Sequence, residues 1–192
     1  MMLMSQQLDG ERNPKRLKGM RAYLCGPMEF AEDNGIGWRD DMSDFIIIEL
    51  GGIPINPANK PTDLVPEDPT SIANRKRLKQ TDLNAYAKEC RLMRCVDLRL
   101  TDIADYMIVH LDQKVPSCGT WEELFIANRS KKPIIVHYAQ GKLSAPDWLF
   151  GTLPHEMIFS TWVDVKDYLL HIHKDHDIKT QKRWLFFEQA RL

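Results

Sequence analysis

Two adjacent carboxylates, Glu122 and Glu123, stand near the end of the run Ser117-Cys-Gly-Thr-Trp-Glu-Glu-Leu124. A carboxylate kept ionised at the start of a helix can attack an electron-poor carbon, and the helix dipole favours the ionised form. The two side chains point about 100° apart on a helix, so one at most faces a cleft. The local pattern does not choose between them. Ser117 or Thr120 can cap the helix, Gly119 lets a ligand approach the backbone, and the amides of the helix start suit an anion. Thr120 followed three residues later by Glu123 also fits an ordinary capping box. Cys118 brings a thiol to the same run, but no histidine stands close in sequence to serve as its base.

Asp97, Asp102 and Asp105 come before the apolar run Tyr106-Met-Ile-Val-His-Leu111. An acid among them can protonate a leaving group if its pKa is raised; a surface or capping role is the alternative for each. The six histidines show no ligand spacing, so no metal is expected. Neither Gly-x-x-x-x-Gly-Lys nor Gly-x-Gly-x-x-Gly occurs, which argues against kinase-type and dinucleotide loops, and no cofactor is expected.

These residues need a scaffold, and the hydrophobic pattern supplies one. Residues 21–25 read as a buried strand ending at Gly26-Pro27. Apolar positions 38, 42, 45, 46 and 50 form a helical stripe from Trp38 to Leu50, stopped by Gly51-Gly52. Residues 53–57 form a short second strand. Pro57, Pro61, Pro66 and Pro69 then mark a long loop of the kind that covers active sites. Residues 71–104 are largely helical, with a break near Thr81 or Val96. Strands at 106–111 and 133–138 flank a helix from Trp121 to Asn128. A last strand near 157–161 and helices from about Val163 complete the pattern.

The expected fold is a single α/β domain, a doubly wound parallel sheet of about five strands flanked by helices on both faces, Rossmann-like or flavodoxin-like. Residues 1–19 are a polar, flexible arm, and residues 20–192 form the domain with a C-terminal helical extension. In such sheets ligands gather at the carboxyl ends of the strands. Residues 25–29, 56–59, 112–121 and 138–148 should therefore meet at one cleft, making Gly26, Met28 and Asn56 expected substrate contacts. Trp38 can stack on a planar ligand and Arg39 can contact an anion, with first-turn core and surface roles as alternatives.

Composition bounds the partners. With 26 Lys and Arg against 27 Asp and Glu, no overall field draws the chain to a nucleic acid polymer or an anionic membrane. No apolar run approaches the roughly 20 residues of a membrane helix. The start lacks the order of a secretory signal, and Cys25, Cys90, Cys95 and Cys118 show no paired spacing, so a cytoplasmic location with reduced thiols is expected.

Tyr23-Leu-Cys-Gly-Pro27, Asp97 with Asp105-Tyr-Met-Ile-Val109, and Gly119-Thr-Trp-Glu-Glu-Leu-Phe-Ile-Ala127, taken in this order, resemble the nucleoside 2-deoxyribosyltransferase family over roughly residues 20–140. The resemblance implies that Glu123, four residues before Ala127, is the nucleophile. It also implies that Asp97 handles the base and that Tyr23 orients the glutamate. The implied reaction is a double displacement at C1′ through a glycosyl-glutamate. Family members that act on free nucleosides carry an aspartate six residues before the nucleophile, where this chain has Ser117. The related 5′-monophosphate N-glycosidases have a serine there, so Ser117 favours hydrolysis of a nucleotide over base transfer between nucleosides. The long proline-rich loop and the segment from Pro146 onward depart from the family pattern and leave substrate choice open. The resemblance also implies at least a homodimer. Cleavage of the nicotinamide bond of NAD is a second enzymatic reading, and a nucleotide sensor without turnover is a non-enzymatic one.

Overall fold

The computed structural model describes residues 15–60, 69–174 and 181–184. The apolar runs pair into one parallel sheet: β1 (Arg21–Cys25), β2 (Ile53–Ile55), β3 (Tyr106–Leu111), β4 (Ile134–Tyr138) and β5 (Ile158–Phe159), in the order β2-β1-β3-β4-β5. The helices are α1 (Ile36–Ile48), α2 (Pro69–Thr81), α3 (Leu83–Ile103), α4 (Cys118–Arg129), α5 (Asp147–Thr152) and α6 (Trp162–His173). This is the expected doubly wound architecture. The chain runs from β1 outward to β2 and then returns to the other side of β1 as β3. The loops after β1 and β3 therefore part and leave a crevice at their carboxyl ends.

Strand alternation divides the core in two. Ala22, Leu24, Tyr106, Ile108 and Ile135 face Met42, Ile46, Val165 and Leu169 of α1 and α6. Tyr23, Cys25, Met107, Val109, Ile134 and Val136 face Leu124 and Ala127 of α4, with Ala104 after α3 and Leu149 of α5. The central strands are apolar on both faces because helices cover both.

Local chemistry moved several boundaries. Helix α1 starts two residues before the expected Trp38, because Asp33 accepts the amides of Gly35 and Gly37, each at 2.8 Å. The break in the long helical stretch falls at Asp82, whose side chain caps Ala85 N at 3.0 Å; Val96 lies within α3. Helix α4 starts at Cys118, three residues before the expected Trp121. Strand β5 is limited to two residues. Most of the proline-rich loop, 61–68, lies outside the described residues.

The end of the expected N-terminal arm is docked. Leu17 is completely buried, Arg16 N donates to His173 O at 3.0 Å, and Leu17 N donates to His173 Nδ1 at 3.3 Å. An apolar side chain in a polar stretch found a place under α6, and residues 15–19 belong to the domain. Residues 1–14 lie outside the described residues. Near the other end Trp184 is buried against Tyr106, with ring centroids 5.2 Å apart, and donates to Tyr168 Oη at 3.0 Å. Among the described residues no helix is long and apolar enough to cross a membrane.

Candidate active site

Tyr23 and Cys25 lie two residues apart on β1 and so share the α4 face of the sheet. On α4 the buried positions Thr120, Leu124 and Ala127 seat the helix, and Glu123 sits beside that stripe over the end of β1. Its carboxylate is held at both oxygens. Tyr23 Oη donates to Oε1 at 3.0 Å, and Cys25 Sγ donates to Oε2 at 3.0 Å. A fixed carboxylate with ordered lone pairs is what an attacking nucleophile requires.

Loss of water raises the Glu123 pKa to about 7, and the negative charge of Asp97 adds to the rise. The bonds from Cys25 and Tyr23 and the charge of Arg39 act in the opposite direction. The hydroxyl of Tyr23 is pushed up by burial and by Glu123, so it stays a donor. The expected first-turn dipole effect is not what sets this group. With α4 starting at Cys118, Glu122 and Glu123 lie beyond the first turn, and desolvation dominates. The capping box pairing Thr120 with Glu123 does not form either, since Thr120 lies inside the helix.

Glu122 points elsewhere, as the 100° step requires. It forms a forked ion pair with Arg94 on the surface, which holds its carboxyl below the usual range. Asp105 is engaged by Arg21 through the side chain at 3.0 Å and the backbone amide at 2.7 Å, and this holds it low. Asp97 has a different partner: Lys60, from the carboxyl end of β2, places Nζ 2.6 Å from Oδ1. The Lys60 side chain is 1% exposed and that of Asp97 19%.

Ser117 is the N-cap residue of α4, but its hydroxyl makes a short bond to Thr120 Oγ1, and no side chain caps the helix amides. Ser117 and Trp121 border a cleft of about 380 Å³ beside the ends of β3 and β4, with Pro27, Asp112, Tyr138 and Pro146 as further walls. The Asp112 carboxylate accepts from Lys114 N at 2.8 Å and Gln140 Nε2 at 2.7 Å. A Cβ added to Gly119 would touch nothing within 4 Å, so space is kept at the start of α4. Met28 is partly exposed after β1. Asn56 caps the turn after β2 by accepting from Ala58 N at 2.9 Å, and its Nδ2 is buried without a hydrogen-bond partner.

Three expected contacts have structural tasks. Arg39 is fully buried and donates to the carbonyls of Leu24, Gly26, Pro27 and Gly35, binding the end of β1 to α1 rather than awaiting a phosphate. Trp38 stacks on Trp162, with centroids 5.2 Å apart, on the α1 and α6 face, away from Glu123. Gly26 is small because Trp38 lies there: an added Cβ would come within 2.8 Å of Trp38 Cζ2. Lys60 escaped sequence reasoning, and Cys25 entered it only as the first residue of the 25–29 segment. The i, i+2 spacing from Tyr23 would have placed Cys25 on the correct face; Lys60 carried no comparable signal.

On that α1 and α6 face, His110 and His137 sit opposite one another on β3 and β4 with Nδ1 atoms 2.9 Å apart. Trp162 stacks on His137 at 4.2 Å. Burial lowers both histidines, His110 to about 4, with His137 adding to that shift. Among the described residues no group of three or more metal-ligating side chains occurs.

No protein-family model and no curated protein sequence matches the chain. Among solved structures, the 2-deoxyribosyltransferase of the psychrotolerant bacterium Bacillus psychrosaccharolyticus is similar with a TM-score of 0.56 and 16% identity, over 82% of this chain and 98% of that one. A 2-desoxiribosyltransferase of Leishmania mexicana superposes with a TM-score of 0.41 and 17% identity, over 90% and 99% of the two chains. The first of these likenesses establishes a shared fold.

Proposed function

We propose that the chain is an N-glycosidase of the nucleoside 2-deoxyribosyltransferase type that cleaves the base–sugar bond of a nucleoside or deoxynucleoside 5′-monophosphate. The observation that carries this reading is Glu123, held by Tyr23 and Cys25 at both oxygens over the end of β1. Glu123 attacks C1′ as the base departs, giving a glycosyl ester, and water then attacks C1′ and frees both sugar phosphate and glutamate. Asp97 and its partner Lys60 lie on the β2 side of Glu123, and the Ser117 cleft lies on the β3 and β4 side. A nucleotide can span this arrangement with its base toward β2 and its 5′-phosphate at the uncapped amides of α4.

The test is a panel of ribo- and deoxynucleoside monophosphates and free nucleosides, with and without an acceptor base, assayed for released base. Release from a monophosphate, abolished in Glu123→Gln, is expected. Activity confined to free nucleosides with an acceptor would favour the transferase reading. That second reading draws support from Asp112, whose carboxylate in the Ser117 cleft suits a sugar hydroxyl better than a phosphate. Leu143 is 97% and Trp148 77% exposed next to that cleft, which supports a second copy covering it. Light scattering showing a monomer would remove that part of the reading.

A further inference from the structure

We propose that Lys60, rather than Asp97, is the group that protonates the departing base. The inference rests on the glycosidase reading and adds to it the identity of the proton donor. A carboxyl group can hand a proton to a leaving base only in its acid form. Asp97 stands in an ion pair with an ammonium 2.6 Å away. The lysine side chain is 1% exposed, and a carboxylate oxygen that accepts from Nζ has no proton of its own to give. Asp97 is then an acceptor that fixes the lysine, and the mobile proton is on Nζ.

Position supports the assignment. Lys60 follows the turn that ends β2, next to β1, which carries the two residues that hold Glu123. The negative charge of Asp97 bears on both Glu123 and Tyr23, so the ion pair and the nucleophile share one electrostatic environment. Asn56 supplies a second donor at the same strand end, its Nδ2 buried and unpartnered. Two donors at one edge suit a base that presents acceptors there, such as a ring carbonyl conjugated with the glycosidic nitrogen.

The step balances without any co-reactant beyond water. A Glu123 oxygen forms a bond to C1′, the C1′–N bond breaks, and its electron pair passes into the base, which takes a proton from Lys60 Nζ. In the second half water adds to C1′, the Glu123–C1′ bond breaks to regenerate the carboxylate, and the proton lost by water returns to the neutral Lys60 amine.

The experiment compares two leaving groups on the full chain. One substrate is the best nucleoside monophosphate from the panel; the other is the 4-nitrophenyl glycoside of the same sugar phosphate, whose leaving group departs without a proton. Lys60→Met should lower base release by about 100-fold or more and nitrophenolate release by less than about tenfold. The double variant Lys60→Met/Asp97→Asn leaves no stranded carboxylate and should show the same selectivity if the single variant folds poorly. Equal loss on both substrates would reduce Lys60 to a positioning residue and overturn the proposal. So would the selective loss appearing in Asp97→Asn but not in Lys60→Met. If folded wild-type protein releases neither base nor nitrophenolate, the glycosidase reading fails and this inference falls with it; active wild type with an unimpaired Lys60→Met removes the inference alone.

Discussion

The two faces of the sheet meet the same carboxyl edge and treat it in opposite ways. On the α3 and α4 face, Tyr23, Cys25 and Glu123 bring a carboxylate into a dry place and satisfy it with two donors. On the α1 and α6 face, Trp38, His110, His137 and Trp162 stack into an aromatic cluster. Burial raises the carboxyl group of Glu123 on one face and lowers the two histidines on the other. Alternation along each strand makes the division possible, because Leu24 lies between Tyr23 and Cys25, and His110 follows Val109 onto the opposite side. Reactivity and packing thus occupy neighbouring residues without sharing a contact surface.

The sharpest way to break the contrast is Glu123→Gln. Base release should fall on the order of 10³-fold or more, while thermal melting stays level or rises, since a neutral amide avoids the desolvation of a carboxylate. Loss of folding with loss of activity would mean that Glu123 belongs to the scaffold.

Tyr23→Phe comes next. A hydrogen bond to a charged group contributes about 1.5–3 kcal/mol, so kcat/KM should drop about 10- to 100-fold. The ionised form attacks, so wild-type kcat/KM should rise with pH through about 7, and removing a donor that lowers Glu123 should move that limb upward. A limb that stays in place would detach Tyr23 from the nucleophile.

On the packed face, Gly26→Ala drives a methyl to within 2.8 Å of Trp38 Cζ2 and 3.3 Å of the His110 carbonyl oxygen. Denaturant unfolding should show a loss of about 1–3 kcal/mol. Gly119→Ala, with nothing within 4 Å of the new methyl, should change stability by less than about 0.5 kcal/mol.

The two faces should also respond to acid with opposite signs. His110 falls from 6.5 unfolded to about 4 folded, so the unfolded chain binds the extra proton between those values. Its contribution to stability is full above 6.5 and is lost as pH falls through about 4. Glu123 rises from 4.5 to about 7, so its contribution is full below 4.5 and is lost as pH rises through about 7. Urea midpoints between pH 4.5 and 6.5 should therefore fall more steeply on acidification in Glu123→Gln than in wild type. The smallest effect is expected at Glu122, whose surface pair with Arg94 faces away from both regions: Glu122→Gln should alter turnover less than about twofold. Loss of activity there would shift the nucleophile by one position.

Much of the framework was legible because periodicity reports burial directly. The apolar runs at 106–111 and 134–138 and the stripe through Met42, Phe45 and Ile46 are strand and helix signals that packing then reinforced. The start of α4 was not legible, since Ser117-Cys-Gly-Thr is compatible with loop or first turn and the outcome depends on contacts with the sheet. That one displacement changed the physics assigned to Glu123 from a helix dipole to desolvation. Trp38 and Arg39 left two readings open for a related reason. A large aromatic and a guanidinium next to a predicted cleft look like ligand contacts, but the stack on Trp162 and the carbonyls of the β1 turn become visible only in three dimensions. Lys60 is the same lesson in reverse, a residue of surface type drawn inward by a carboxylate 37 positions away.

Arg16 and Leu17 meet His173, joining the segment that leads into β1 to the end of α6. Because all five strands are parallel and β1 begins just after this junction, the contact lies at the amino edge of the sheet, at the far pole from Glu123. The segment before β1 and the end of α6 thus lock to each other at the pole opposite the reactive groups, so the fastening of the fold and its chemistry are kept at separate ends of the same strands.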